Sequence, residues 1–396
     1  MPKPPEIPLH NRRAGLDPLP ELGRTSRECP FTETAAPSTS ARAWLASGNE
    51  TVRTVLGDAE RFSTLPPADS KEDSRRLIQP GNLLQYDPPE HTRLRQLLTP
   101  EFTLRRMRRL EPLIADIVAD RLDALELAGP PADFMRHFAW PVPGLVSCAL
   151  LGIPQDDHAE LARNLDITRA TNRSRQQQQA AGKAYMAYMH KLIGNKRRDP
   201  GEDLLGRLIR EHGDDITDDE LVGTAATTMA AGFENVAGTL GLGALALMQH
   251  PDQLALFQDR PEVVDRAVEE LIRYVSVIAT ASPRTALTDL TIEGHEVKAG
   301  ETVVCSLMAV NRFQAVPSPQ APREELDITR EITSHLAFGH GIHYCLGAPL
   351  TRLTLRIAFP ALLARFPKLR PAVPPEELRY RTLAPNYGVD ALPVTW

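Results

Sequence analysis

Phe338-Gly339-His340-Gly341-Ile342-His343-Tyr344-Cys345-Leu346-Gly347 decides how this chain is read. One cysteine sits in a glycine-rich loop, with an aromatic residue seven positions before it and a histidine two before. Glycines let a backbone turn tightly and aim N–H groups at a sulfur. A thiolate that must serve as a lone ligand needs such a cradle. The competing reading, a structural cysteine in a tight turn, does not account for so long an ordered pattern.

Working outward, the chain has 396 residues, 42% of them hydrophobic, enough for a large core. Its formal net charge of -6 argues against general affinity for nucleic acid. The four cysteines, Cys29, Cys148, Cys305 and Cys345, make no CxxC pair and no zinc spacing. We therefore expect no disulfide framework and a reducing compartment. The first fifteen residues are proline-rich and polar, with no apolar run fit for a signal or anchor. The expected location is the cytoplasm, with no membrane contact.

Residues 1–40 read as an irregular surface segment, and Trp44 to Phe62 as a short strand and then a helix. Residues 64–88, rich in Pro, Ser, Asp and Gly, read as a long loop. Glu90 to about Leu127 is helical, broken near Pro100 and Pro112. Trp140 to Pro154 is apolar and punctuated by prolines. Residues 155–198 are helical by periodicity, and the polar tract from Arg173 to Gln179 fits a solvated helix face or loop. Asp218 to Gln249 predicts the longest helix, capped by Thr217 and acidic in its first turn. At 1.5 Å per residue it spans roughly 45–50 Å. Gly223, Gly232, Gly238, Gly241 and Gly243 each cost such a helix about 1 kcal/mol relative to alanine. Either neighbours approach very closely, or the helix bends for a ligand. Residues 288–292 and 302–307 read as strands. No repeat and no linker divides the chain, so we expect one mainly helical domain, 1–396, with a minor β part.

The cysteine loop matches the haem-binding signature of the cytochrome P450 family, and ordered motifs extend the resemblance over roughly residues 15–396. The resemblance implies the P450 fold, a long central helix over haem b, and Cys345 as the axial thiolate. Lack of an anchor resembles the bacterial branch. The segment Asp87-Pro88-Pro89-Glu90-His91-Thr92-Arg93-Leu94-Arg95 resembles the family's helix along the haem edge. His91 and Arg95, four apart, share a helix face and can clamp propionates. Arg284, His343 and Phe338 match further haem-contact positions. Glu270-Leu271-Ile272-Arg273 matches the structural ExxR element, with Arg312 expected as its third partner, although Phe313-Gln314 stands where Asp-Pro is usual. Arg105, Arg106, Arg108 and Arg109 form a cluster where relatives dock their electron donor. The implied partners are a ferredoxin and a ferredoxin reductase fed by NAD(P)H.

Glu234 keeps the family's acid in the long helix, but Asn235 replaces the threonine that usually helps deliver protons. An amide donates and accepts hydrogen bonds but relays a proton less readily. The substitution is compatible with ordinary hydroxylation, with a substrate that supplies the missing donor, or with radical coupling of aromatic groups. By position, Leu83, Leu84, Met229, Ala230, Phe233, Ile278, Ala279, Thr280, Asn386 and Tyr387 correspond to substrate-contact regions. The resemblance thus implies oxygen-dependent oxidation of a small natural product. Oxidative coupling of an aromatic substrate, for instance an indole-containing cyclic dipeptide, is the alternative. A haem sensor without catalysis is the rival from another class.

Overall fold

The computed structural model describes residues 7–35, 42–66, 78–169, 173–313, 322–332, 334–382 and 384–396. The long helix, Asp218–Gln249, runs through the middle. Its start is fixed by a capping box: the Thr217 hydroxyl accepts from the Glu220 N–H, and the Glu220 carboxylate accepts from the Thr217 N–H. Most of its residues are buried, so its apolar length marks a core element. The glycines resolve in favour of close packing. A Cβ on Gly223 would lie 1.6 Å from the Pro80 carbonyl oxygen, and one on Gly243 would lie 2.7 Å from the Phe359 ring. Only hydrogen fits at either point.

Around it pack helices Pro141–Leu151, Arg175–Arg198, Val264–Val275 and Ala348–Arg365. Pro141 and Pro143 fall in the first turn of their helix, where a missing N–H costs nothing. The predicted break at Pro112 becomes the start of helix Glu111–Ala128. The polar tract opens helix Arg175–Arg198, its exposed first turn capped reciprocally by Ser174 and Gln177.

A five-stranded sheet lies beside this bundle, in the order Phe31–Ala35, Arg42–Ala46, Thr302–Cys305, Arg284–Ala286, Phe62–Ser63. Its pairs are antiparallel except Arg42–Ala46 with Thr302–Cys305. The expected strand and helix between Trp44 and Phe62 are therefore present, as Arg42–Ala46 and Asn49–Gly57. Residues 67–77 of the expected loop lie outside the described residues.

The N-terminal expectation needs correction. Described residues before 40 form a hairpin (Arg13–Ala14 with Asp17–Pro18), a helix (Pro20–Glu28) and the edge strand Phe31–Ala35. Long-range contacts, invisible to composition, order them. Arg13 donates to the Val275 carbonyl at 2.6 Å and lies 4.4 Å over the Tyr387 ring.

Candidate functional site: a thiolate cradle under the long helix

The cysteine loop is closed by its own backbone. The Cys345 N–H donates to the Phe338 carbonyl at 2.9 Å, and the Gly339 N–H to the Leu336 carbonyl at 2.8 Å. Gly339 and Gly341 take φ of 74° and 71°, a region that disfavours side chains. A Cβ on Gly341 would also lie 2.2 Å from the Leu56 carbonyl oxygen, so the loop sits directly on helix Asn49–Gly57. Helix Ala348–Arg365 begins three residues after the cysteine and turns its free N–H groups toward the sulfur. Burial pushes the Cys345 thiol up; the N–H groups of Gly347 and Ala348, with the charges of Arg95 and Arg352, oppose that rise.

Above the sulfur is a cavity of about 330 Å³, walled by Leu83, Leu84, Ile278, Phe338 and one face of the long helix. That face is Thr224, Thr227, Thr228, Ala231, Gly232, Asn235 and Thr239, the i, i+3, i+4, i+7 set of one helix side. Met229 and Phe233 follow Thr228 and Gly232 by one residue each, a step of about 100° that turns them off this stripe. They are buried in a second core, Phe233 with its ring 5.1 Å from Trp140. Ala230 packs against that same core. These three positions, expected at the substrate, belong instead to the packing behind it. Ala279 likewise joins Leu22, Met308 and Ala309, and Thr280 bridges to Ser306. Tyr387 stacks on Tyr380 and donates to the Gly15 carbonyl. Asn386 donates to the Glu234 carboxylate at 2.7 Å. Of the ten expected pocket residues, Leu83, Leu84 and Ile278 line the cavity.

At its edge four basic groups converge. His91 and His343 lie ring to ring at 4.4 Å, and all four of their ring nitrogens are buried without a hydrogen-bond partner among the described residues. Burial, then the Arg284, His91 and Arg95 charges, pulls His343 down to about 3. Burial also lowers His91, Arg95 and Arg284. Buried donors in this state need an anionic partner. A planar dianion whose carboxylates meet this cluster while its metal meets Cys345 fits the donor set. Among the described residues there is no cluster of His, Cys, Asp or Glu that would hold a bare metal ion instead.

The ExxR pair is present: Glu270 Oε2 accepts from Arg273 Nε at 2.7 Å, and both side chains are buried. Its third member is Arg330, whose Nε donates to Glu270 Oε1 at 3.2 Å. Arg312 was expected there. Its helix, Leu307–Phe313, points it instead at the Tyr274 and Glu324 carbonyls and the Asp17 carboxylate, with its guanidinium 3.9 Å over the Tyr274 ring. No short motif marks Arg330, which explains why sequence reading passed over it. Arg106 also departs from expectation: it is held by Glu101 and Glu211, while Arg105, Arg108 and Arg109 stay exposed.

A profile of the family described as Cytochrome P450 matches residues 158–382. Cytochrome P450 165B3 of Amycolatopsis orientalis is 43% identical over 395 residues, 98% of either chain. The chain belongs to the cytochrome P450 family. The resemblance continues in solved structures. OxyB from teicoplanin biosynthesis, seen in complex with an X-domain, is 47% identical with a TM-score of 0.88 and full coverage of both chains. OxyC, implicated in an oxidative C–C coupling reaction during vancomycin biosynthesis, is 42% identical with a TM-score of 0.88, covering 98% of this chain and 96% of that one. This P450 is accordingly a haem-thiolate oxidoreductase of secondary metabolism, with haem b on Cys345. It draws its electrons from a redox partner.

Proposed function

We propose that this P450 joins two aromatic groups within a peptide-derived natural product, rather than inserting oxygen into it. The observation that carries the reading is Asn235. Its Nδ2 donates back to the Ala231 carbonyl at 3.1 Å, and its Oδ1 is buried without a partner among the described residues. The side chain is folded onto its own helix and offers the cavity no hydroxyl to pass a proton along. Glu234, the neighbouring acid, is engaged by Asn386. Bound haem supplies the activation of dioxygen. In coupling, the substrate loses two hydrogens and forms a bond between two of its own atoms, and these hydrogens, with two electrons from the redox partner and two protons, carry both oxygen atoms away as water. The mainly apolar cavity wall suits aromatic groups, and the implication of OxyC in an oxidative C–C coupling reaction supports the same class of reaction.

In this reading His91, Arg95, Arg284 and His343 would hold the haem propionates, Phe338 would contact the macrocycle, and Glu234 would be the acid that serves the site. We assign electron supply to a ferredoxin and its NAD(P)H-dependent reductase in the cytoplasm. Exposed Arg105, Arg108 and Arg109 support this, because the short helix Leu104–Met107, which holds Arg105 and precedes the other two, packs on helix Ala348–Arg365, which follows Cys345. The test is turnover with a ferredoxin pair on aromatic peptides, free and carrier-bound, and on indole-containing cyclic dipeptides. A product short of two hydrogens is expected. A product carrying one added oxygen as the main species refutes the proposal.

A further inference from the structure

Behind the cysteine loop lies a network whose charged members, Arg352, Glu269 and His335, do not line the cavity. Arg352 stands one turn into the helix that follows Cys345. Its Nε donates to Glu269 Oε1 at 2.6 Å and its Nη2 to Glu269 Oε2 at 2.9 Å, a two-point fork. Its Nη1 donates to the Tyr344 hydroxyl at 3.2 Å, and its guanidinium lies 4.5 Å over the Phe338 ring. One side chain therefore grips both aromatic residues of the cysteine loop, seven and one positions before the ligand. Glu269 is itself held. The Ala337 N–H donates to His335 Nδ1 at 3.2 Å, which leaves the His335 proton on Nε2, 3.1 Å from Glu269 Oε2. Burial pushes the Glu269 carboxyl up, but the His335 and Arg352 hydrogen bonds and the Arg352 charge outweigh it and bring it to about 2. The pair is thus ionised at any working pH.

We propose that Arg352 is a positioning residue for the axial ligand: it fixes the two ends of the Phe338–Tyr344 loop and sets a permanent positive charge behind the Cys345 thiolate, making the haem iron easier to reduce. The sign follows from charge. Reduction adds one electron beside the thiolate, and a nearby cation favours that added charge. Arg352 is among the groups that act on Cys345 in the direction favouring the thiolate. Glu269, at the other end of the fork, carries the opposing charge.

The experiment is a spectroelectrochemical titration of the haem-loaded full chain without any redox partner, so that docking at this face plays no part. Arg352→Gln should lower the ferrous-to-ferric ratio at fixed potential by about threefold to tenfold, the latter being about 59 mV for one electron. Glu269→Gln removes the counter-charge and should raise the ratio. Arg352→Lys keeps the charge without the fork. It should hold the potential within about threefold of wild type while enlarging the fraction of protein whose carbon monoxide complex lacks the thiolate band. Shifts of the same sign in Arg352→Gln and Glu269→Gln, or no shift in either, overturn the proposal. If Arg352→Gln fails to retain haem, the Glu269→Gln result decides alone: a potential that does not rise is a refutation.

Discussion

Replacing Glu270 with alanine should be among the most damaging single changes outside the haem contacts, and the pattern of its coupling tests the corrected network. Glu270, Arg273 and Arg330 are only 3%, 1% and 4% exposed. Glu270 accepts from Arg273 Nε and Nη2, from Arg330 Nε and from the Asp327 N–H. Removing it strands two buried guanidinium groups without their counter-ion, a loss of about 3–5 kcal/mol. That is a large share of the 5–15 kcal/mol typical of a domain, and about two to three and a half decades in the folding equilibrium. Arg330→Ala removes a partner of the same carboxylate, so the double variant should be less damaging than the sum, by at least about 1 kcal/mol. Arg312→Ala touches none of Glu270's bonds. Its main ionic partner, Asp17, is largely exposed and rehydrates when released. Glu270 and Arg312 should therefore add within about 0.5 kcal/mol. The assay is reversible urea unfolding of the haem-loaded protein for both cycles. Coupling of Glu270 to Arg312 that equals or exceeds its coupling to Arg330 would sink the assignment.

Cys345→Ser should abolish the thiolate-type carbon monoxide spectrum while circular dichroism shows a folded chain; a retained spectrum would move the ligand to another cysteine. Arg95→Ala and Arg284→Ala should each weaken haem retention by about 1.5–3 kcal/mol, read as haem occupancy after purification, and unchanged occupancy in both would remove them from the propionate site. The acid limb of stability should carry Glu269. Its folded carboxyl titrates near 2 against 4.5 ordinarily, so its contribution is complete above about pH 4.5 and fades as pH falls toward 2. The loss amounts to about 3 kcal/mol. Unfolding free energy measured from pH 5 down to 2 should be flatter in Glu269→Gln than in wild type, and parallel curves would contradict the shift.

Some features were legible in sequence because they are local. The cap of the long helix needs only Thr217 and Glu220 three residues on. The cysteine loop depends on glycines whose φ values the backbone itself demands. What stayed hidden was set by direction round a helix or by distant contacts. Met229 and Phe233 carry the right chemistry for a pocket wall, yet the 100° step per residue turns them into the packing behind it. Arg312 and Arg330 are both buried arginines downstream of ExxR, and spacing alone cannot say which returns to Glu270. The N-terminal residues look like surface coil because their partners, Val275 and Tyr387, lie more than 250 positions away. Asn386 resembled a substrate contact, and its bond to Glu234 spans 152 positions.

The same step round a helix separates two tasks on helix Val264–Val275. Glu269 and Glu270 are neighbours in sequence and differ by about 100° in direction. Glu270 turns to Arg273 and Arg330 and ties this helix to residues 322–330. Glu269 turns to Arg352 and His335 and meets the cysteine loop through Phe338 and Tyr344. A rigid helix links the two carboxylates, so the anchored Glu270 side fixes where the Glu269 side can stand. Loss of Glu270 should therefore act first on stability and reach the haem only through movement of the helix. Loss of the Glu269 charge should change the electrostatics at Cys345 even where the helix stays in place. The order of effects is the consequence to look for: a raised potential from Glu269→Gln in protein that remains folded, and stability loss preceding any change of potential from Glu270→Ala.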